Sequence, residues 1–206
     1  MSGPANPFSL AVWRRTVAAQ YAQLRVESDD RGAQSLEFRA ARDELYRTHA
    51  ESPIAPERRA AWRGIAWYDY DPKWRVIGAI DRIANRTTFE IVLGSDGILR
   101  CTRVARVHFA VNGKRGALTL YWLEGYGGGL WLPFADGTNG SATYGGGRYL
   151  YDTIKGADLG VGEETLVLDF NYAYNPSCAY DDRWSCPLSP PENRLPFAVD
   201  AGERTA

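Results

Sequence analysis

The last third of the chain gathers three carboxylates, one arginine and a set of amides and hydroxyls whose types fit acid–base work on a small anion. Asp136, Asp169 and Glu192 are the candidate catalytic residues. They would supply acid and base if burial set their pKa values apart. Arg148 opens an expected strand between Tyr144 and Tyr149. A guanidinium there fits a bidentate clamp on a carboxylate or phosphate. The segment PFADGTNGSATYGGGRY leads into it. Its glycines let backbone N–H groups approach a ligand closely, and Thr138, Thr143 and Tyr144 add hydroxyls. Asp169 and Asn171 would share one face of a strand, about 6–7 Å apart. Tyr174 would stack or donate a hydrogen bond, and Asn175, Tyr180 and Asn193 complete the candidate ligand-binding set.

Each piece has a plainer reading. The glycine-rich stretch could be a flexible hairpin loop. Arg148 could be a structural partner of Asp136, Asp169 or Glu192. Asp169 and Asn171 could cap the irregular chain that follows them.

Other chemistries find less support. No Ser–His–Asp arrangement is readable, which disfavours a serine hydrolase. The only histidines are His49 and His108 and there is no CxxC spacing, so no metal is expected. No glycine-rich phosphate loop lies between a strand and a helix, so no nucleotide or other cofactor is expected. Three cysteines, Cys101, Cys178 and Cys186, do not make a disulfide framework. Cys178 and Cys186 stand eight positions apart across a proline-bounded segment. They are read as thiols packing that segment, since neither has a neighbouring His or Lys to activate it.

These groups need elements to position them. Leu10, Trp13, Val17, Tyr21 and Leu24 recur at steps of three and four, which predicts a helix over residues 9–27 with Ser9 as N-cap. A second helix is expected over 34–48, carrying Leu36, Arg39, Leu45 and Tyr46, and SPIAP ends it. From Trp67 the period shortens to two. Strands are expected at 74–80, 87–93, 105–111, 117–123, 129–134, 148–154 and 165–170. GSDG and NGKRG read as hairpin turns. The fold class is therefore α+β and predominantly antiparallel β. A barrel-like or sandwich sheet of seven to eight strands would have two N-terminal helices packed outside.

The 206 residues are read as a single domain. A helical part spans 8–50, the β core 65–172, and 173–204 form an ordered closing segment. That last stretch is rich in Pro, Asn and Tyr and lacks periodicity. Its aromatic residues argue against disorder, which leaves a functional loop.

A net charge of -1 gives no footprint for nucleic acid. No apolar run is long enough to span a membrane. MSGPANPFSLAVW lacks the basic-then-apolar pattern of a secretory signal, so a cytoplasmic location is expected. The expected partner is a small molecule. The oligomeric state is left open, a homodimer included.

Three ordered blocks carry a resemblance. Phe134, Asp136, Thr138, Gly140, Thr143, Tyr144, Gly147 and Arg148 fit an F-x-D-x-T-x-G-x-x-T-Y-x-x-G-R pattern. DFNYAYNPSCAY fits DFN-x-AYNP-x-CAY, and Cys186 to Asn193 with Gly202-Glu203 fit CPLPP-x-EN followed by AGEK. The chain resembles the domain of unknown function family 1684 across about residues 8–204, in a short form without the longer N-terminal region of many members. Ser189 stands where a proline is usual, and Arg204 replaces a lysine. The resemblance implies no activity, but it implies that the three blocks act together. Three readings stay open: an enzyme acting on an anionic metabolite, a non-catalytic small-molecule-binding module, and a structural polar network without a ligand.

Overall fold

The computed structural model describes residues 6–94 and 97–205. Ser95 and Asp96 of the expected GSDG turn lie outside the described residues, as do residues 1–5 of the N-terminal segment.

Helix α1 runs over Pro7–Arg25 and α2 over Arg31–Thr48. The cap of α1 is Asn6 rather than Ser9. Its side chain accepts from the Phe8 and Ser9 N–H groups at 3.1 and 3.2 Å, while Pro7 has no N–H to satisfy. Asp30 caps α2 through the Ala33 N–H at 2.8 Å, so this helix starts earlier than expected. The stripe on α1 buries Val17, Tyr21 and Leu24.

On α2 the expectation needs correcting at Leu36, which is 68% exposed. The buried face is Ser35, Phe38, Arg42, Leu45 and Tyr46. An arginine at its centre hid that face from an apolar count. A short third helix, α3 over Pro56–Arg59, was not anticipated.

All seven expected strands form. They are β1 (Arg75–Arg82), β2 (Thr88–Val92), β3 (Ile98–Val111), β4 (Lys114–Leu123), β5 (Gly129–Phe134), β6 (Arg148–Asp152) and β7 (Thr165–Asp169). They make one curled antiparallel half-barrel, six of them in the order β6-β5-β4-β3-β1-β7 with β2 paired to β3 off this path, which decides between barrel-like and sandwich in favour of the first.

The long β3 organises it. Its first part pairs with β2 (Cys101 opposite Phe89) and its second with β1 (Val107 opposite Ile80), while β4 runs along its other side. β3 begins earlier than expected because its exposed leading residues Ile98 and Arg100 pair with β2.

Period-two alternation sorts the side chains of β4 and β5. Leu118, Leu120, Leu132 and Phe134 join the main core with Val17, Tyr21 and Phe38 of the helices. Tyr121, Leu123 and Trp131 join a second cluster with Cys101, Tyr149 and half-buried Phe89, Ile91 and Tyr174. Both faces of this part of the sheet are therefore buried, and the second needs a cover.

The cover is the aperiodic segment after β7, which acts as a strap. It contains only short 3₁₀ turns at Phe170–Tyr172, Ser177–Ala179 and Pro191–Asn193. Its backbone is satisfied piecemeal. Tyr149 and Tyr174 exchange N–H···O bonds at 2.9 and 3.0 Å along the edge of β6. Ala135 N–H donates to Asn193 at 2.9 Å, Leu195 N–H to Ala135 at 2.8 Å, and Glu203 N–H to Ala173 at 2.8 Å. Its own Leu195, Val199 and Ala201 are buried in the main core.

Gly202 closes this strap with φ of 82°. A Cβ there would lie 2.5 Å from the Ala173 carbonyl oxygen and 2.8 Å from that of Phe170. Gly202→Ala is expected to lower the unfolding free energy by about 2–3 kcal/mol, read from urea denaturation. An unchanged midpoint would contradict this role for the glycine.

Candidate functional site

Arg148 sits at the first position of β6 and is fully buried with Asp136. The guanidinium donates to Asp136 Oδ2 at 2.8 Å, to the Val199 carbonyl at 3.0 Å, to the Glu203 carbonyl at 3.2 Å, and to the Ala201 carbonyl. It also lies 5.1 Å over the Phe134 ring. Burial pushes its pKa down and Asp136 pushes it back up. An arginine stays charged under such opposing effects.

The other oxygen of Asp136 accepts from the Thr138 N–H at 2.7 Å, the Thr138 hydroxyl at 2.6 Å and the Val199 N–H at 3.3 Å. Thr138 and Thr143 share a hydroxyl contact at 2.7 Å. The glycine-rich loop is therefore a hydrogen-bonded knot. The Thr138 carbonyl alone receives the N–H groups of Ser141, Ala142 and Thr143. Gly147 lets it turn with φ of 92°, where a Cβ would meet the Phe134 carbonyl oxygen at 2.7 Å.

Asp169 and Asn171 occupy a different place. The Asn171 amide exchanges hydrogen bonds with the backbone of Asp71 at 3.0 and 2.9 Å and donates to Asp169 at 2.9 Å. Asp169 also has Arg75 at 3.7 Å. Burial raises its carboxyl pKa, and the bonds from Asn171 and the charge of Arg75 oppose that rise.

Glu192 lies at a third place, accepting from Arg103 at 2.7 and 3.0 Å. Burial would raise its pKa, but its own backbone N–H, Arg103 and Tyr121 together hold it below the usual carboxylate range. Beside it, Asn193 is buried as a bridge in the sheet. Its side chain accepts the Thr119 N–H at 2.7 Å and donates to the Thr119 and Pro133 carbonyls at 2.9 and 2.7 Å. These positions lie just beyond the last β4–β5 pairs, so one amide stands in for the missing ladder bonds.

A fourth carboxylate, Glu203, was absent from the expected set. It is fully buried and takes Arg42 of α2 at 2.8 Å, the Asn175 N–H at 2.7 Å and the Tyr180 hydroxyl at 2.6 Å. Arg42 also stacks 4.8 and 5.0 Å over the rings of Tyr46 and Tyr174. Only the terminal AGER motif hinted at Glu203. Its partner lies 161 positions away.

The carboxylates expected to converge therefore do not. Asp136, Asp169 and Glu192 each have their own arginine, and Arg148 spends its donors on the chain itself. This is a correction to the clamp reading. The guanidinium is directed at carbonyls of the strap because the strap lacks ladder partners of its own.

The open space is elsewhere. A groove of about 700 Å³ runs between β2 and the strap. Phe89 and Ile91 form one wall; Tyr144, Cys178, Trp184, Cys186, Leu188 and Pro191 form the other. Of the expected site residues, Tyr144 alone among the hydroxyl and amide donors reaches it. Its hydroxyl lies 3.5 Å from the Cys178 sulfur.

Cys178 N–H points at the Cys186 sulfur at 3.4 Å. The Cys178 thiol is lowered to about 6, chiefly by a hydrogen bond from Cys186. Burial opposes this, while Tyr144 and the backbone N–H groups of both cysteines support it. The Cys186 thiol moves the opposite way, raised by the facing Cys178 and by burial and opposed by Lys155. The pair lines the groove rather than lying wholly inside the packed segment. The groups that lower Cys178 are the facing thiol and Tyr144, neither of them an adjacent residue in sequence.

Among the described residues, no group of three or more His, Cys, Asp or Glu is placed to hold a metal ion, and no helix is long and apolar enough to cross a membrane.

Fold and site together define an antiparallel half-barrel closed by an arginine-pinned C-terminal strap. Residues 60–204 match the family described as protein of unknown function (DUF1684), and the chain belongs to that family. A solved structure is similar to it, the solution NMR structure of an uncharacterized protein of Haloarcula marismortui. The two are 33% identical with a TM-score of 0.60, over 84% of this chain and 93% of that one. No curated protein matches the chain.

Replacing Arg148 with Met is expected to cost about 3–5 kcal/mol, because it strands the buried Asp136 carboxylate. Adding Asp136→Asn should recover part of that loss. Urea denaturation of the single and double variants reads both, and equal stability of Arg148→Met and wild type would remove the network from its central role.

Proposed function

We propose that this protein is a small-molecule-binding half-barrel whose ligand lies in the groove between β2 and the strap. The supporting observation is a convergence. Tyr144 from the first block, Cys178 from the second, and Cys186 and Pro191 from the third all line the same groove. The three blocks thus meet at one opening, although their carboxylates do not.

The volume suits a small organic ligand, since such sites usually span about 300–1,000 Å³. The lining is chiefly apolar and aromatic, with Tyr144, the two thiols, Glu90, Ser185 and Ser189 as its polar groups. An apolar or aromatic body with one hydrogen-bonding group fits this better than a bare anion does. Guanidinium groups beside the groove are already engaged: Arg103 stacks 4.3 Å over Phe89 and is held by Glu192, and Arg100 pairs with Glu90 at 3.0 Å.

Acid–base catalysis by Asp136, Asp169 and Glu192 gains no support from their placement. The buried network around Arg148 is assigned instead to holding one wall of the groove in register. A cytoplasmic setting is part of the proposal and suits the free thiols at the opening.

Leu188 tests the reading without disturbing the core, since it lines the groove and is 51% exposed. Native mass spectrometry of the purified protein, with a thermal-shift panel of small aromatic and apolar metabolites, should reveal a bound species. Leu188→Arg should weaken its retention about tenfold or more while leaving the unfolding midpoint unchanged. Absence of any bound species and of any shift across the panel would sink the proposal.

A further inference from the structure

Cys178 and Cys186 are the two groups in the groove able to do covalent chemistry. They are half-buried, both line the opening, and they sit on a strap whose backbone is fixed on either side. Before Cys178, the Asn175 N–H is held by Glu203. After Cys186, the Pro187 carbonyl accepts the buried Tyr149 hydroxyl. The Cys178 N–H lies 3.4 Å from the Cys186 sulfur across eight positions, and both residues line the open groove, which places the two thiols within reach of one another.

The surroundings distinguish the two. Cys178 faces the Tyr144 hydroxyl at 3.5 Å. Lys155 and Tyr46 lie on the Cys186 side, Tyr149 beneath the pair, Asp182 beyond Tyr144, and Glu90 across the groove. The Tyr144 hydroxyl favours a thiolate at Cys178, while Lys155 and the Cys178 N–H act on Cys186 in the same sense. The third thiol, Cys101, is fully buried, and burial with nearby Glu124 pushes it up to about 11. It stands outside the exchange.

We propose that Cys178 and Cys186 form a redox-active dithiol that exchanges with low-molecular-weight disulfides entering the groove. The Cys178 thiolate attacks one sulfur of the external disulfide. A new sulfur–sulfur bond forms, and the first external thiolate leaves and takes a proton from water. The Cys186 thiol then gives up its proton to solvent, and its sulfur attacks Cys178. That closes the internal disulfide and expels the second external thiolate, which is protonated in turn. The dithiol loses two electrons and the external disulfide gains them, appearing as two thiols. The reverse steps with a small external thiol restore the starting pair. The inference rests on the groove as the site but not on its apolar ligand.

The probe is bis(2-hydroxyethyl) disulfide, small and uncharged. After exposure, denaturation and alkylation, intact-mass analysis of wild type should show one thiol labelled, Cys101, and two joined. Cys186→Ala should stop at a single 2-hydroxyethylthio mixed disulfide on Cys178, and Cys178→Ala should give none at neutral pH. Iodoacetamide labelling of wild-type Cys178 should rise to a plateau with a midpoint of about 6. Tyr144→Phe and Cys186→Ala should each move that midpoint upward, toward the ordinary thiol value of about 8.5. Tyr144→Phe keeps both thiols, so it serves if the alanine variant fails to fold. Exchange by wild type that retains no bound species in native mass spectrometry, or a bound species without exchange, separates failure of the binding reading from failure of this inference. All three thiols labelled after probe treatment, or a Cys178 midpoint at the ordinary value in wild type, would overturn the proposal.

Discussion

The fold depends on a buried guanidinium that does the work of a strand. After β7 the chain has no ladder to join, yet it must cover the second face of the sheet and leave no buried carbonyl without a partner. Arg148 resolves this by donating to three carbonyls of the strap, at Val199, Ala201 and Glu203, while Asp136 balances its charge. Isolating such a charge from water is costly, and only a dense set of acceptors offsets that cost. The knot at Thr138 and Thr143 holds Asp136 in position.

The amides extend the same logic. Asn171 pairs with the backbone of Asp71, and Asn193 spans Thr119 and Pro133 where β4 and β5 part. Each presents an N–H and a C=O from a side chain at a place where the main chain cannot. Glu203 does the corresponding job for the helices by holding Arg42. The groove is what remains open once these bonds are made. Its strap wall owes its position to groups that never touch it.

The sequence made the sheet readable because alternation is local: each strand announces its own faces, as Phe89 and Ile91 do on β2. Turn residues added the connections. The α2 face was misread because Arg42 occupies its centre, and nothing near it in sequence reveals that Glu203 neutralises it. The carboxylates were recognised as special but were grouped by nearness along the chain. The fold instead separates them by giving each its own arginine: Arg148, Arg75 or Arg103. The thiols were undervalued for the same reason. The contacts that set Cys178 apart come from Tyr144, 34 positions away, and from Cys186, eight away. Local pattern fixes elements; charge pairing and thiol activation are properties of the closed fold.

The bond between Arg42 and Glu203 spans 161 positions. During synthesis, neither the buried face of α2 nor the Arg148 pocket can be completed until residue 203 has cleared the ribosome. Until then the nascent chain carries Arg42 without Glu203, Arg148 with Asp136 but without its strap carbonyls, and an uncovered aromatic face around Trp131 and Tyr149. Ordering so distant a contact is slow, because loop closure precedes its reward. The strap is thus also a late-arriving latch, and the partly made protein is the form most in need of chaperones.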